Sequence, residues 1–125
     1  MSVAHPSPTR ASAHRIASTL PADAIAAELQ TILGPALATV ALGSRDPKAI
    51  GQWARNLRRP RPAQDASLRA LYQVTVCLAA EEEPDVIRAW FAGMNPDLGD
   101  QSPALVMRTD PAAVMRAAES FLRNG

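Results

Sequence analysis

The amino-acid sequence predicts an all-α protein. Apolar residues recur at the helical period rather than in alternation: Ile50, Trp53, Ala54 and Leu57 fall at i, i+3, i+4 and i+7, and so do Ile87, Trp90, Phe91 and Met94. Eleven prolines are many for such a fold, yet Pro21, Pro35, Pro47, Pro84, Pro103 and Pro111 all stand where a helix can begin. There a missing N–H costs no hydrogen bond. Aromatic residues are only 4% of the chain, so the core must be built from Ala, Leu, Ile and Val, which favours close helix packing. The stripes and breaks predict roughly five to seven helices. They also predict that Ile50, Trp53, Leu71, Leu78, Ile87, Trp90, Leu105 and Phe121 are buried.

At 125 residues the chain has room for one compact domain or two small units sharing a core. Cys77 is the single cysteine and sits in an apolar run, so it reads as a small buried hydrophobe in a reducing compartment. No apolar run approaches the ~20 residues of a membrane span. The N-terminus lacks the apolar core of a signal peptide, so a cytoplasmic chain is expected. The formal charge of +1 conceals an asymmetry. Residues 1–64 hold eight Lys or Arg and three acids, net +5, whereas residues 65–125 hold five Arg and nine acids, net −4. The two ends suit different partners.

Residues 1–20, rich in Ser, Ala, Pro and His, show no period and read as a mobile tail. His5 and His14 have no Cys or acidic neighbours and are solvated tail residues rather than metal ligands. In residues 22–33, Ile25, Leu29, Ile32 and Leu33 form one face of a packing helix that Gly34-Pro35 ends. Residues 36–57 give a short apolar helix, the turn Gly43-Ser44-Arg45-Asp46, and a second helix from Pro47 to Asn56. That helix turns Ile50, Trp53, Ala54 and Leu57 inward and Lys48, Gln52 and Arg55 outward. Two short helices about a glycine turn, the second with a basic-polar face, make a helix-turn-helix outline. Lys48, Gln52 and Arg55 are the candidates for base contact. Arg45, Arg58, Arg59 and Arg61 are the candidates for phosphate contact, since the forked guanidinium suits phosphate oxygens.

The longest helix is expected over residues 65–80, capped by Asp65. Leu68, Leu71, Tyr72, Thr75, Leu78 and Ala79 form one face, and Val74 and Cys77 widen it, so it should lie between two layers. Glu81-Glu82-Glu83 precede the next helix as dipole partners and solubilising charge. Pro84-Asp85 opens that helix, and Gly93 is placed to end it in the left-handed conformation. Ser102-Pro103 and Asp110-Pro111 each read as an N-cap followed by a first helical residue.

The run VIRAWFAGMNPDLGDQSPALVMRTDPAAVMRAAESFL, through Trp90, Asn95, Pro96, Leu98, Gly99, Ser102, Pro103 and Leu105, resembles the toxin-binding domain of the Xre/MbcA/ParS antitoxins. The run ALGSRDPKAIGQWARNLRRPRP is similar to the Xre-type helix-turn-helix that precedes that domain. The resemblance covers about residues 36–122. Three departures stand out. Asp100 occupies a position where many members carry glycine; Thr109–Pro111 lack a glycine common there; and Gly43 to Trp53 spans ten residues where a common pattern has nine. With the tail at 1–20 read from composition, the resemblance implies a helix-turn-helix DNA-binding half at 21–64 and a helical toxin-binding domain at 65–125. It also implies an antitoxin that neutralises a RES-domain, NAD-consuming toxin, represses its own operon and forms a homo-oligomer. The NAD chemistry would belong to the toxin, so the chain itself would need no cofactor. Toxin contacts would come from Met94, Asn95, Pro96, Leu98, Gly99 and Leu105. The C-terminal Arg123, Asn124 and Gly125 would lie near the mouth of the toxin's active site and obstruct NAD⁺ entry.

The sequence has no Gly-rich phosphate loop, no HExxH, and no Cys or His pair at metal-ligand spacing. Its histidines lie in the expected tail, so a Ser–His or Cys–His pair would need that tail to order, and the chain reads as non-enzymatic. Two other readings use the same features. One is a stand-alone helix-turn-helix transcriptional regulator; the other is a phage-type interaction protein; neither has a toxin partner.

Overall fold

A computed structural model describes residues 10–124. The expectations for residues 1–9, including His5, and for Gly125 lie outside the described residues. The fold is all-α: eight α-helices and one 3-10 turn, with no strand among the described residues. The helices are α1 (Arg10–Thr19), α2 (Ala22–Leu33), α3 (Pro35–Leu42), α4 (Ala49–Ala54), α5 (Pro62–Ala79), α6 (Pro84–Ala92), α7 (Pro103–Val106) and α8 (Pro111–Asn124). The 3-10 turn, Pro96–Leu98, lies between α6 and α7. No single helix among the described residues is long and apolar enough to cross a membrane.

Proline sets much of this punctuation. Pro35, Pro62, Pro84, Pro103 and Pro111 are the first residues of α3, α5, α6, α7 and α8, and Pro96 opens the 3-10 turn. Two caps act as the sequence predicts. Ser102 Oγ accepts from the Leu105 N–H at 3.3 Å, and Asp110 Oδ1 accepts from the Ala113 N–H at 3.0 Å. Asp65, in contrast, is not the cap of the long helix. α5 begins earlier, at Pro62, and Asp65 lies in its first turn with its carboxylate 2.6 Å from Arg69 Nε. Gly93 is extended rather than left-handed, with φ −84° and ψ 163°.

α5 runs through the middle of the fold. Leu68, Leu71, Tyr72, Val74, Thr75, Cys77 and Leu78 are all buried, because α1, α2, α3, α6 and α8 pack around it. One continuous core joins residues from both halves of the chain. The boundary at residue 64 is therefore a change of charge and not a gap in packing. Thr75, the buried polar side chain of α5, donates from Oγ1 to the Leu71 carbonyl at 2.8 Å. Tyr72 donates its hydroxyl to Glu28 on α2. Burial, followed by this carboxylate, holds its phenol well above the ordinary value.

Residues 10–20 are not a mobile tail. α1 buries Ala13 and Ala17 against α5, and its small side chains let the two helices approach closely. A two-alanine stripe is too weak a pattern to stand out in a Ser/Ala-rich segment.

Two stripes overran their helices. Leu57 was expected to face the core, but α4 stops at Ala54 and Asn56 takes φ 56°, so Leu57 swings out and is 68% exposed. Met94 follows the end of α6 in the same way and is 82% exposed. Leu105 is also exposed, at 48% rather than buried: α7 is a single turn that directs Pro103 and Ala104 inward, with Met107 buried just beyond it. Trp90 and Phe121 are half-buried at the edge of the core. The expected burial of Ile50, Trp53, Leu71, Leu78 and Ile87 is found.

Three arginines close the C-terminal ends of the first three helices from a distance. Arg69 Nη1 donates to the carbonyls of Ala17 and Leu20, at 2.8 and 2.7 Å, at the end of α1. Arg88 Nη1 donates to Ile32 at the end of α2, at 3.0 Å, and Arg108 Nε donates to Val40 near the end of α3, at 2.7 Å. Carbonyls at helix ends carry the negative end of the dipole, which a guanidinium complements; the Val40 carbonyl also accepts from the Gly43 N–H at 3.0 Å.

Candidate functional site

The loop between α6 and α7 is tied into a small ring by its own backbone. Asn95 exchanges with Gln101 in an isolated antiparallel bridge, its N–H donating to the Gln101 carbonyl at 3.2 Å. The Asn95 carbonyl accepts from Leu98 and Asp100, at 3.0 and 2.9 Å. Its side-chain Oδ1 accepts from the Asp97 N–H at 2.9 Å. Asparagine is suited to this position because one residue supplies the cap and the turn acceptor together. Gly99 and Asp100 follow in the left-handed region, with φ 64° and 65°.

This ring forms one wall of an open groove of about 330 Å³, whose other wall is α8. Trp90 and Phe121 meet along it with ring centroids 6.2 Å apart, and Trp90 also packs edge-on against buried Phe91 at 5.1 Å. Met94, Asn95, Pro96 and Asp97 line the loop side, and Ser120 and Asn124 the helix side. Asn124 Nδ2 donates to Ser120 Oγ at 3.3 Å. The groove thus joins an apolar aromatic floor, a very exposed thioether and an acidic rim at Asp97. Methionine adapts its shape readily, and such a surface suits protein contact.

The groove brings Met94, Asn95, Pro96 and Asn124 together. Gly99 is exposed at the tip of the ring. Leu98 packs against the core and staples the ring to it, and Leu105 lies on α7 outside this groove. Arg123 is exposed in the last turn of α8, so residues 123 and 124 are helical rather than a short tail. Trp90, Phe121 and Asp97 are groove residues outside the set of expected toxin contacts; the sequence places Trp90 and Phe121 in the core. The two rings sit on apolar stripes and carry no polar pattern to separate them from core anchors.

The basic side is built differently from the expected recognition helix. α4 has six residues and packs mainly on α2, burying Ala49, Ile50 and Trp53. Lys48 is its N-cap and Arg55 its C-cap, both exposed, so they flank the helix instead of lying within it. Gln52 is half-buried, and its Oε1 is enclosed without a hydrogen-bond partner. Gly51 lies against α2, where a Cβ would stand 3.4 Å from Gln30 Nε2. Arg45, Arg58, Arg59 and Arg61 are exposed in the segments on either side of α4. Arg58 is 3.7 Å from Asp46, an exposed pair of little strength. The result is a basic surface on loops and helix ends, not a charged helix face.

Among the described residues no group of three His, Cys, Asp or Glu is placed to hold a metal ion. Cys77 is buried, and burial, followed by Glu119, raises its thiol above the ordinary value. That direction disfavours the thiolate. Searches of protein-family models, curated proteins and solved structures match nothing to this chain.

Proposed function

We propose that this chain is an antitoxin-like binding protein. Its groove between the Asn95–Gln101 ring and α8 docks a protein partner, and its basic side contacts DNA. The observation that carries the reading is Met94, 82% exposed beside the Trp90–Phe121 floor. An exposed thioether over half-buried aromatic rings is surface that a partner would cover. Three further features support it. The loop is held by its own hydrogen bonds, so docking would require little ordering. Asp100 has φ 65°, a left-handed conformation, at a position where many of the resembled antitoxins carry glycine. The net −4 of residues 65–125 would steer a partner with a basic rim toward this side.

The partner in this reading is a RES-domain toxin, and the test is co-expression with the reading frame beside the gene. Growth and cellular NAD⁺ are measured. The wild-type chain restores both, and Met94→Arg, at a site outside the core, does not. If the wild-type chain fails to protect, the antitoxin reading falls. If Met94→Arg protects as well as wild type, docking through the groove falls.

Arg45, Arg55, Arg58, Arg59 and Arg61 favour a second activity, DNA binding with the weak sequence preference expected of phosphate contacts. This is also the surface that a stand-alone transcriptional regulator would use. Retention of a shift on upstream DNA together with a lack of any protective effect would favour that reading.

A further inference from the structure

The turn between α3 and α4 borders a cavity of about 360 Å³. Arg45, Arg58, Gln64, Ser67 and Trp53 line it together with Asp46. A second hollow of about 490 Å³ shares Gly43, Ser44, Arg45 and Ser67 with the first and adds Arg108. The two form one trough with three guanidinium groups and a single carboxylate. That carboxylate is already engaged: Asp46 Oδ1 accepts from the Lys48 N–H at 2.9 Å, and Oδ2 faces Arg58. Arg108 uses Nε on Val40. Its alkyl chain lies on Gly43, where a Cβ would stand 3.4 Å from Cγ.

Trp53 supplies an independent observation. It is 2% exposed, and its indole N–H has no acceptor among the described residues. An enclosed donor without an acceptor is costly, and few persist in native proteins without a function. Trp53 lines this cation-rich hollow of ligand size, and on another side it borders a hollow of about 470 Å³ with Arg58, Arg59, Asp23 and Asp65.

We infer that this trough is an anion site that takes a phosphate group, with Arg45 and Arg58 as its charged ligands and Arg108 at its far end. Planar forks carrying several N–H donors match a phosphate better than a chloride or a single carboxylate. Two sources offer the same chemistry: a small phosphorylated molecule and the backbone of DNA. The site shares Arg45 and Arg58 with the DNA-contact reading, but it does not depend on DNA.

The test follows the indole N–H resonance of Trp53 in the full ¹⁵N-labelled chain, assigned against Trp90→Phe. The protein is titrated separately with sodium phosphate, sodium pyrophosphate, sodium chloride at matched ionic strength, and a random-sequence DNA duplex. A saturable shift with phosphate or pyrophosphate is expected, with at least about tenfold weaker binding in Arg45→Gln and in Arg58→Gln, the loss of one charge-assisted hydrogen bond. Both side chains are exposed, so both variants should fold. A saturable shift with DNA alone, with the same dependence on the two arginines, also supports the site and identifies the backbone as its source. Shifts that chloride reproduces, shifts indifferent to both variants, or no response of the indole to any of the four overturn it. DNA binding with a silent Trp53 indole leaves the DNA-contact reading standing and removes this one.

Discussion

The guanidinium of Arg108 donates through Nε to the carbonyl oxygen of Val40 at 2.7 Å, across 68 residues of sequence. It closes the end of α3 and fixes the segment after α7 to the basic half of the chain. Arg108→Ala should cost about 1 kcal/mol, because the bond is charge-assisted but exposed to water. Arg108→Lys should recover part of that through the helix dipole. Arg116→Ala, at an exposed position on α8, should stay within about 0.5 kcal/mol of wild type. Urea unfolding of the three variants checks the order.

α1 should behave as part of the core. Ala17→Asp would place a carboxylate at a position 2% exposed and should cost about 3 kcal/mol or more. Ala11→Asp, exposed in the first turn, should be neutral or slightly stabilising. Equal melting temperatures for the two variants would refute the packing of α1 on α5.

Three adjacent side chains separate core from groove. Phe91→Ala should cost about 3–5 kcal/mol, as for a fully buried ring. Trp90→Ala, half-buried, should cost about 2 kcal/mol. Met94→Ala should change stability by less than about 0.5 kcal/mol while weakening partner capture. Chemical denaturation gives the first comparison and co-purification the second.

On DNA, Arg55→Ala and Arg59→Ala should each lower the salt slope of binding by about one, without changing sequence preference. Gln52→Ala should leave sequence preference intact as well, since its Oε1 is enclosed. Fluorescence anisotropy across a salt series measures both. A large loss of sequence preference in Gln52→Ala would restore α4 as a recognition helix.

Stability should fall on the alkaline side. Tyr72 and Cys77 are both held above their ordinary values of 10.0 and 9.0, chiefly by burial. Their neutral forms are favoured in the fold, so the contribution is complete below those values. It is lost as pH rises through them, when the unfolded chain ionises and the folded chain does not. Melting temperature should decline above the ordinary value of the thiol, and the decline should be shallower in Tyr72→Phe.

Much of the helix order was legible because proline and capping residues mark starts without reference to tertiary structure. Ser102-Pro103 and Asp110-Pro111 are the clearest cases. Helix ends were harder. The i+7 residues Leu57 and Met94 continue their apolar stripes by period, and both lie beyond the last turn of the helix. The turn at Asn56 that ejects Leu57 needs a left-handed asparagine, and a single sequence gives no sign of it. The groove was half legible. Its polar loop has a distinctive pattern, whereas Trp90 and Phe121 differ from core aromatics only in what fails to cover them. Gln52 shows the converse. Its spacing matched an exposed face, but close packing of α4 on α2 enclosed its amide oxygen.

The arginine caps also bear on how the chain is made. Synthesis delivers the acceptor carbonyls of Ala17, Leu20, Ile32 and Val40 first, and their donors follow 49 to 68 residues later. At ~5–20 residues per second that interval is about 2–14 s, whereas a helix relaxes in about a microsecond. On the ribosome the first three helices therefore form and melt many times before the groups that close them exist. The positively charged leading half has its own backbone caps at Gly34 and Gly43, but it waits for the trailing half to supply the guanidinium groups that tie its helix ends to the rest of the fold. Nascent chains arrested before Arg108 should accordingly remain protease-sensitive, and release of the complete chain should convert them in one step.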